Sequence, residues 1–263
     1  MTFSITVLGS NSAIPTLTRN PSAHLLNVNE RLFLIDCAEG TQLQIRKYHI
    51  RFQRIRHILI THLHGDHFYG LIGLLTSFHL LGRKEELHLY GPPMLKEIID
   101  LQLKASATTL IYPLLFHPLR FDRDECIYED EKVTIHSFPL IHSVPTCGFI
   151  FREKRPQRGS FEGPRSYAYC SDTAYSESLV PIIQGCDLLY HETTFMQNMA
   201  KNAREKMHST TIEAATIAKK AKVKKLMIGH FSARYDDLQP LLEEAKSVFP
   251  ETILAEDGMT IPI

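Results

Sequence analysis

Two periodicities alternate along this chain. Short runs that are mostly apolar, or that alternate apolar with polar residues, are separated by longer runs in which apolar residues return every third or fourth position. The first kind predicts strands: FSITVLGS, HLLNV, RLFLIDC, HILITH, ELHLYG, KVTIHSFPL, GFIF, YAYCSD, DLLYHET and KLMIGH. The second kind predicts helices over residues 40 to 48, 69 to 81, 93 to 105, 210 to 222 and 238 to 249, the last with Leu241, Ala245 and Val248 at helical spacing. Strands precede and follow each helix, so the class is mixed α/β. No internal repeat is visible. Residues 152 to 166, REKRPQRGSFEGPRS, are composed like a linker, but they lie between two predicted strands and need not mark a boundary. One domain over residues 1 to 263 is therefore expected.

Several of these strands run out into metal-binding residue types. In ILITHLHGDHFYG, residues 58 to 70, three histidines and an aspartate occupy six consecutive positions after an aliphatic run. Residues two apart in an extended loop point the same way, so His62 and His64 can bind one ion through neutral imidazoles. Asp66 and His67 follow on the next turn, where a carboxylate and an imidazole suit a second ion. Packing gives no reason for this spacing. Further ligand types stand at later strand ends: His142 after TIHSFPLI, Asp172 after SYAYC and His230 after KLMIG. A carboxylate such as Asp172 could bridge two ions and leave room for a water or hydroxide between them.

Composition narrows the setting. With 263 residues and 44% hydrophobic content the chain can bury a full core. Its formal net charge is zero, so any polyanionic partner must be held by local patches rather than by a global field. The opening MTFSITVLGS lacks the features of a signal peptide, and no run approaches the roughly 20 apolar residues that span a bilayer. Five scattered cysteines without a C-x-x-C pair argue for a reducing compartment. A cytoplasmic protein is expected.

The ordered set H-x-H-x-D-H at 62 to 67, then His142, Asp172 and His230, resembles the metallo-β-lactamase superfamily, and further motifs resemble its ribonuclease Z family: LGSNSAIPTLTRN, LIDCAEGTQLQ, HETTF, HST at 208 to 210 and GHFSARY. Together these cover nearly the whole chain. The resemblance implies a four-layer αββα sandwich and a dinuclear centre, with one metal on His62, His64, His142 and Asp172 and another on Asp66, His67, Asp172 and His230. Two Zn2+ per subunit are expected, with Mn2+ a second ion that carboxylate-rich sites accept. The implied activity is endonucleolytic removal of 3′ trailers from precursor tRNA by hydroxide attack, leaving a 3′-hydroxyl on the tRNA and a 5′-phosphate on the trailer. The family also implies a homodimer without a membrane partner. A phosphodiesterase or lactonase for small substrates on the same fold is the alternative.

In the family, the aspartate at Asp66 is the proposed general base, and the glutamate at Glu192 orients the histidine at His208. A carboxylate beside His208 would keep that ring charged as a proton donor to the departing oxygen; a purely structural pair is the other reading. Asp36 could orient a metal-binding histidine through its second ring nitrogen, or be a plain strand-end aspartate. Arg19 and Asn20, in the N-terminal loop, and Ser232 and Arg234 are candidate substrate contacts. Residues 46 to 57, RKYHIRFQRIRH, suit either an RNA backbone track or a solvated helix face. The apolar helix over 69 to 81 suits either the core or a dimer contact. Two departures stand out. Leu17 replaces the lysine of the family's P-x-K-x-R-N loop, and residues 152 to 166 stand where the family inserts a long arm that clamps tRNA.

Overall fold

Alternation builds the first strand: β1 (Phe3–Gly9) buries Phe3, Ile5 and Val7 and leaves Ser4 and Thr6 half-buried. In the computed structural model, which describes residues 2–154 and 163–263, this strand belongs to one of two units, Thr2–Arg120 with Glu256–Pro262. The unit continues through β2 (Asn11–Ser12), β3 (Ala23–Val28), β4 (Arg31–Ile35), β5 (Ile55–Leu59), β6 (Leu87–Gly91) and β7 (Leu114–Pro118). Its seven-stranded sheet runs from the last strand of the chain, Thr260–Pro262, through β1, β3, β4, β5 and β6 to β7. The first part is antiparallel, and from β4 onward neighbours are parallel.

Helices α1 (Thr41–Lys47), α2 (Gly65–Phe68), α3 (Leu71–Leu80) and α4 (Met94–Ala105) complete this unit. α3 buries Leu71, Leu74, Leu75 and Phe78, one stripe at helical spacing, and they join Leu34, Ile58 and Leu89 of the sheet in one core. Truncating one of these, such as Leu74→Ala, costs about 3 kcal/mol. The helix predicted over 69 to 81 is broken before Leu71. A Cβ on Gly70 would stand 2.0 Å from the Ala38 carbonyl oxygen, so the backbone there packs directly on the loop after β4.

The other unit, Phe121–Ala255 with Ile263, contains β8 (Glu125–Glu129), β9 (Val133–Leu140), β10 (Thr146–Glu153), β11 (Ser166–Cys170), β12 (Leu188–Glu192), β13 (Lys225–Gly229), β14 (Phe231–Ser232) and β15 (Thr252–Leu254). Its sheet order is β15-β13-β12-β11-β10-β9-β8. β8 to β11 are antiparallel, and β11, β12, β13 and β15 are parallel. Its helices are α5 (Leu179–Ile182), α6 (Ala200–Lys206), α7 (Thr211–Lys220) and α8 (Gln239–Lys246). α7 starts at a reciprocal capping box: the Thr210 hydroxyl accepts from Glu213 N, and the Glu213 carboxylate accepts from Thr210 N. It buries Ala214, Ala215, Ile217 and Ala218, and of these Ala215, Ile217 and Ala218 pack into a core with Leu189, Leu226 and Leu241.

Parallel strands end on the same edge of a sheet, where α/β proteins place their sites. The residues after β4, β5, β11 and β13, and those at the end of β12, are the candidate ligands and their supports. The segment read as an arm remnant is only partly visible: residues 155–162 lie outside the described residues. No helix among the described residues is long and apolar enough to cross a membrane. The five cysteines are free thiols.

Candidate metal centre

In the first unit the site begins with a buried carboxylate at a strand end. Asp36 follows β4 with φ at 57°, in the left-handed region, a conformation uncommon outside glycine and frequent where function demands a sharp turn. Its backbone N–H reaches across to Leu59 O at 2.8 Å, tying it to the end of parallel β5. Asp36 Oδ1 accepts from Thr61 N at 2.9 Å and from Thr61 Oγ1 at 3.0 Å, and Oδ2 lies 2.8 Å from His67 Nδ1. The loop N–H of Cys37 donates to His67 O at 2.7 Å and Gly70 N–H to Cys37 O at 2.9 Å, which is how the close approach at Gly70 seats His67.

These bonds fix which ring nitrogens face outward. A carboxylate only accepts, so His67 carries its proton on Nδ1. Thr61 Oγ1 has one proton, drawn to Asp36; it therefore accepts from His62 Nδ1, 3.0 Å away. Both rings present Nε2 as a lone pair. His62 Nε2 lies 3.1 Å from His64 Nδ1, and His67 Nε2 lies 3.6 Å from Asp66 Oδ2. Asp36, His62 and His67 are fully buried. Asp66 is held from outside by the backbone N–H of Ala13, which donates to its Oδ2 at 2.8 Å.

The other unit repeats the device on different strands. Glu192 closes β12, fully buried; its Oε1 lies 2.7 Å from His208 Nδ1 and accepts from Thr173 N at 3.0 Å, and its Oε2 accepts from Thr194 N and Thr194 Oγ1 at 3.0 and 2.8 Å. Having given its proton to Glu192, Thr194 Oγ1 accepts from His230 Nδ1 at 2.9 Å. His142 Nδ1 donates to the Met207 carbonyl at 3.0 Å, turned there by a left-handed Met207 at the end of α6. His142 and His230 thus also present Nε2, aimed at one carboxylate: Asp172 Oδ2 is 3.5 Å from the first and Oδ1 3.0 Å from the second. Asp172 and His230, with φ at 35° and 57°, are left-handed like Asp36. Burial alone would raise the Glu192 carboxyl, but the charge and hydrogen bond of His208 outweigh it and hold the group below its ordinary value.

Such an arrangement fits a divalent cation. Lone pairs on neutral imidazole nitrogens face carboxylate oxygens in both units, a contact that repels unless positive charge lies between them. Asp172, His208 and His230 each bring a ligand atom within 4.8 Å of the others, and the donor set of imidazole and carboxylate suits zinc or manganese. His208 differs from His142 and His230 in that its Nδ1 is on a carboxylate. Its ring centroid lies 5.0 Å from that of His142 and 5.5 Å from that of His230.

The remaining sequence candidates are placed as follows. Arg234 Nε donates to Ser232 Oγ at 3.0 Å, and its guanidinium lies 5.0 Å above the Phe195 ring, whose centroid is 6.2 Å from that of His208. Arg19 Nε donates to Asn11 Oδ1 at 2.9 Å. Asn20 gives its N–H and Nδ2 to Asp257 Oδ2 at 2.8 and 3.0 Å, so its carboxamide anchors the N-terminal loop. Sequence reasoning missed Thr61, Thr194 and Asp257. The two threonines had a signal, since each lies directly before or shortly after a candidate residue, in THLH and HETTF; Asp257 had none, because it meets its partners only through the fold.

Sheets that turn parallel and deliver buried carboxylate, threonine and histidine sets from strand ends define a metal-dependent hydrolase of the metallo-β-lactamase fold, the αββα class expected from sequence. The fold match is direct: the metallo-β-lactamase fold protein YhfI from Bacillus subtilis superposes with a TM-score of 0.79 at 23% identity, covering 99% of each chain. Human tRNase Z, short form, superposes with a TM-score of 0.83 at 32% identity over 98% of each chain. The model of a family described as anti-Pycsar protein Apyc1 matches residues 3–249. Ribonuclease Z of Bacteroides fragilis is 39% identical over 301 aligned positions, 99% of each chain. The chain belongs to the ribonuclease Z family. That alignment is longer than this chain of 263 residues, so the relative carries residues that this chain lacks.

Proposed function

We propose that this protein is a metal-dependent endoribonuclease that removes 3′ trailers from precursor tRNA, acting in the cytoplasm as a homodimer with zinc as its ion. In this reading His62, His64, His142 and Asp172 hold one Zn2+, and Asp66, His67, Asp172 and His230 the other, as the family pattern implies. Bound there, the cations supply Lewis acidity toward the phosphoryl oxygens and acidify water.

The protein's own groups handle the protons. Asp66, oriented by the Ala13 N–H on its Oδ2, takes a proton from the attacking water. As the new P–O bond forms and the bond to the tRNA 3′-oxygen breaks, His208 delivers a proton from Nε2 to that oxygen, with Glu192 on Nδ1 stabilising the charged ring beforehand. The tRNA leaves with a 3′-hydroxyl and the trailer with a 5′-phosphate. Phe195 with Arg234 stacked on it and Ser232 bonded to Arg234 supply a cationic shelf beside His208 for a phosphate. What supports this reading most is the buried Glu192–His208 pair, linked through Thr194 to the candidate ligand His230, in a chain related end to end to Ribonuclease Z. The homodimer draws support from Tyr69, Leu80 and Leu81, 65%, 79% and 50% exposed at the two ends of α3 while its other face is core.

The test is cleavage of a 3′-extended precursor tRNA with the cut mapped. One cut giving the two expected ends supports the reading; hydrolysis confined to lactones or small phosphodiesters overturns it.

A further inference from the structure

Residues 46 to 57 do not form one solvated helix face. They run through the end of α1, a 3-10 turn at Phe52–Arg54 and the start of β5, and they open onto two adjoining grooves of the first unit. One, of about 350 Å³, is lined by Arg31, Arg54 and Arg56 among others. The second, of about 510 Å³, has a floor of Ser4, Thr6, Asn27 and Thr260 and a wall of Arg51 and Arg54. Arg54 and Leu32 belong to both, so the grooves are continuous.

The chemistry of this surface is specific. Arginines line it, and its floor offers hydroxyl and carboxamide groups, the set that recognises a phosphate and sugar backbone. Two acidic residues offset part of the charge: Glu30 is 2.6 Å from Arg54 and Glu85 is 3.4 Å from Arg56. Both pairs are exposed, a kind of pairing that contributes little and exchanges readily for a phosphate. Arg51 is exposed, and Arg46 and Lys47 lie over the rings of Phe52 and Tyr48 at 5.3 and 5.2 Å, adding positive charge beside the grooves. In a chain of zero net charge this is a local excess.

Position decides what part of a ligand it meets. Arg54 and Arg56 stand at the start of β5 and His62 lies beyond its end; five strand residues at 3.3 Å each separate them by about 16 Å. A small diester at the candidate ligands does not span that distance. We propose that these grooves bind the phosphodiester backbone of the folded body of the RNA substrate, away from the cut. This rests on the endoribonuclease reading and names a surface that compensates for the short segment at 152 to 166.

The experiment compares the full chain with an Arg31→Ala, Arg51→Ala, Arg54→Ala variant, measuring precursor tRNA affinity over a range of salt and turnover of bis(p-nitrophenyl) phosphate. The variant should bind the RNA about tenfold more weakly at moderate salt, with a log affinity against log salt slope shallower by about 2 to 3, since each of the three lost phosphate contacts contributes about 0.7–0.9. Diester turnover and the melting temperature should stay at the original values, which separates lost RNA contacts from misfolding. A control with Lys219→Ala and Lys246→Ala, elsewhere on the surface, should keep the slope. Unchanged affinity and slope in the triple variant, while the parent binds and cuts precursor tRNA, overturns the groove alone. A parent that neither binds nor cuts precursor tRNA overturns the endoribonuclease reading and the groove with it.

Discussion

Glu192 Oε1 lies 2.7 Å from His208 Nδ1, while the other oxygen of the same carboxylate takes the Thr194 hydroxyl that in turn accepts from His230 Nδ1. One buried glutamate thus orients two imidazoles with different proposed tasks, His208 to carry a proton and His230 to bind a metal. Asp36 stands in the same relation to His67, directly, and to His62, through Thr61.

The first prediction separates the two tasks. His208→Ala should lower turnover of precursor tRNA by roughly 10²–10⁴-fold, the range of a lost general acid, with metal content unchanged. An aryl phosphodiester whose leaving group needs no proton should hide most of that defect. Equal impairment on both substrates would show that His208 is no proton donor. Glu192→Gln should resemble His208→Ala in weaker form, since it removes the orienting charge and keeps the shape.

A second prediction concerns the supports. Thr194→Val and Asp36→Asn keep size and fold but remove the bond that fixes a ring nitrogen, and each should weaken metal binding by about 10–100-fold. Asp172→Ala should do more, losing both ions or leaving one weakly held. Equilibrium dialysis with Zn2+ followed by elemental analysis reads all three; two tightly bound ions in Asp172→Ala would remove it from the centre.

Much of this was legible in the sequence because ligand chemistry is local. HLHGDH carries its own spacing, and His142, Asp172 and His230 each announce themselves by following an apolar run. In the two large sheets the strands that the pattern missed are β7, β8, β15 and Thr260–Pro262, each at a sheet edge, where one face is wet and the alternation blurs: β7 and β8 have no buried residue. The two-residue β2 and β14 were missed because they are too short to carry a pattern. The left-handed backbones of Asp36, Asp172 and His230 could not be read at all. None is glycine, so nothing in composition marks the turn, and only the surrounding hydrogen bonds select it. Asp257 is a similar case, since it gathers Ser10, Asn20 and Gln44 from distant parts of the chain.

Acid stability follows from His24, buried in β3. Burial, which disfavours the charged ring, lowers its pKa from 6.5 to about 3. The folded protein therefore keeps this ring neutral while the unfolded chain takes up a proton as pH falls below 6.5, so the stability it confers is complete above that value and declines toward pH 3. Between pH 6.5 and 5 the loss amounts to about 2 kcal/mol at 1.36 kcal/mol per unit. Urea unfolding at pH 7.5 and 5.0 should show a larger drop for the parent than for His24→Leu by about that amount. Parallel losses in the two proteins would rule His24 out as the source.

The last prediction concerns residues 152 to 166, where the sequence leads one to expect the family's arm. Its base is firmly built: Glu153 N donates to Arg165 O at 2.9 Å, and the Arg165 guanidinium grips the Glu153 carboxylate with Nε at 3.0 Å from Oε2 and Nη2 at 2.9 Å from Oε1. The glutamate is 1% exposed and the arginine 16%. Arg165→Ala would leave a buried carboxylate unpaired, at a cost of about 3 kcal/mol. An arm of the family type grafted between Lys154 and Gly163 keeps this clasp, so the graft should fold with nearly the parent melting temperature. It adds phosphate contacts that the parent lacks, and each steepens the salt dependence by about 0.9. The grafted protein should therefore show a lower KM for precursor tRNA at moderate salt and an unchanged kcat for a small diester, whose turnover needs only the centre. If the graft changes neither KM nor salt slope, the arm adds nothing to what Arg31, Arg51 and Arg54 already hold. If it lowers small-diester turnover as well, the segment supports the centre itself, and binding and chemistry are not separable here.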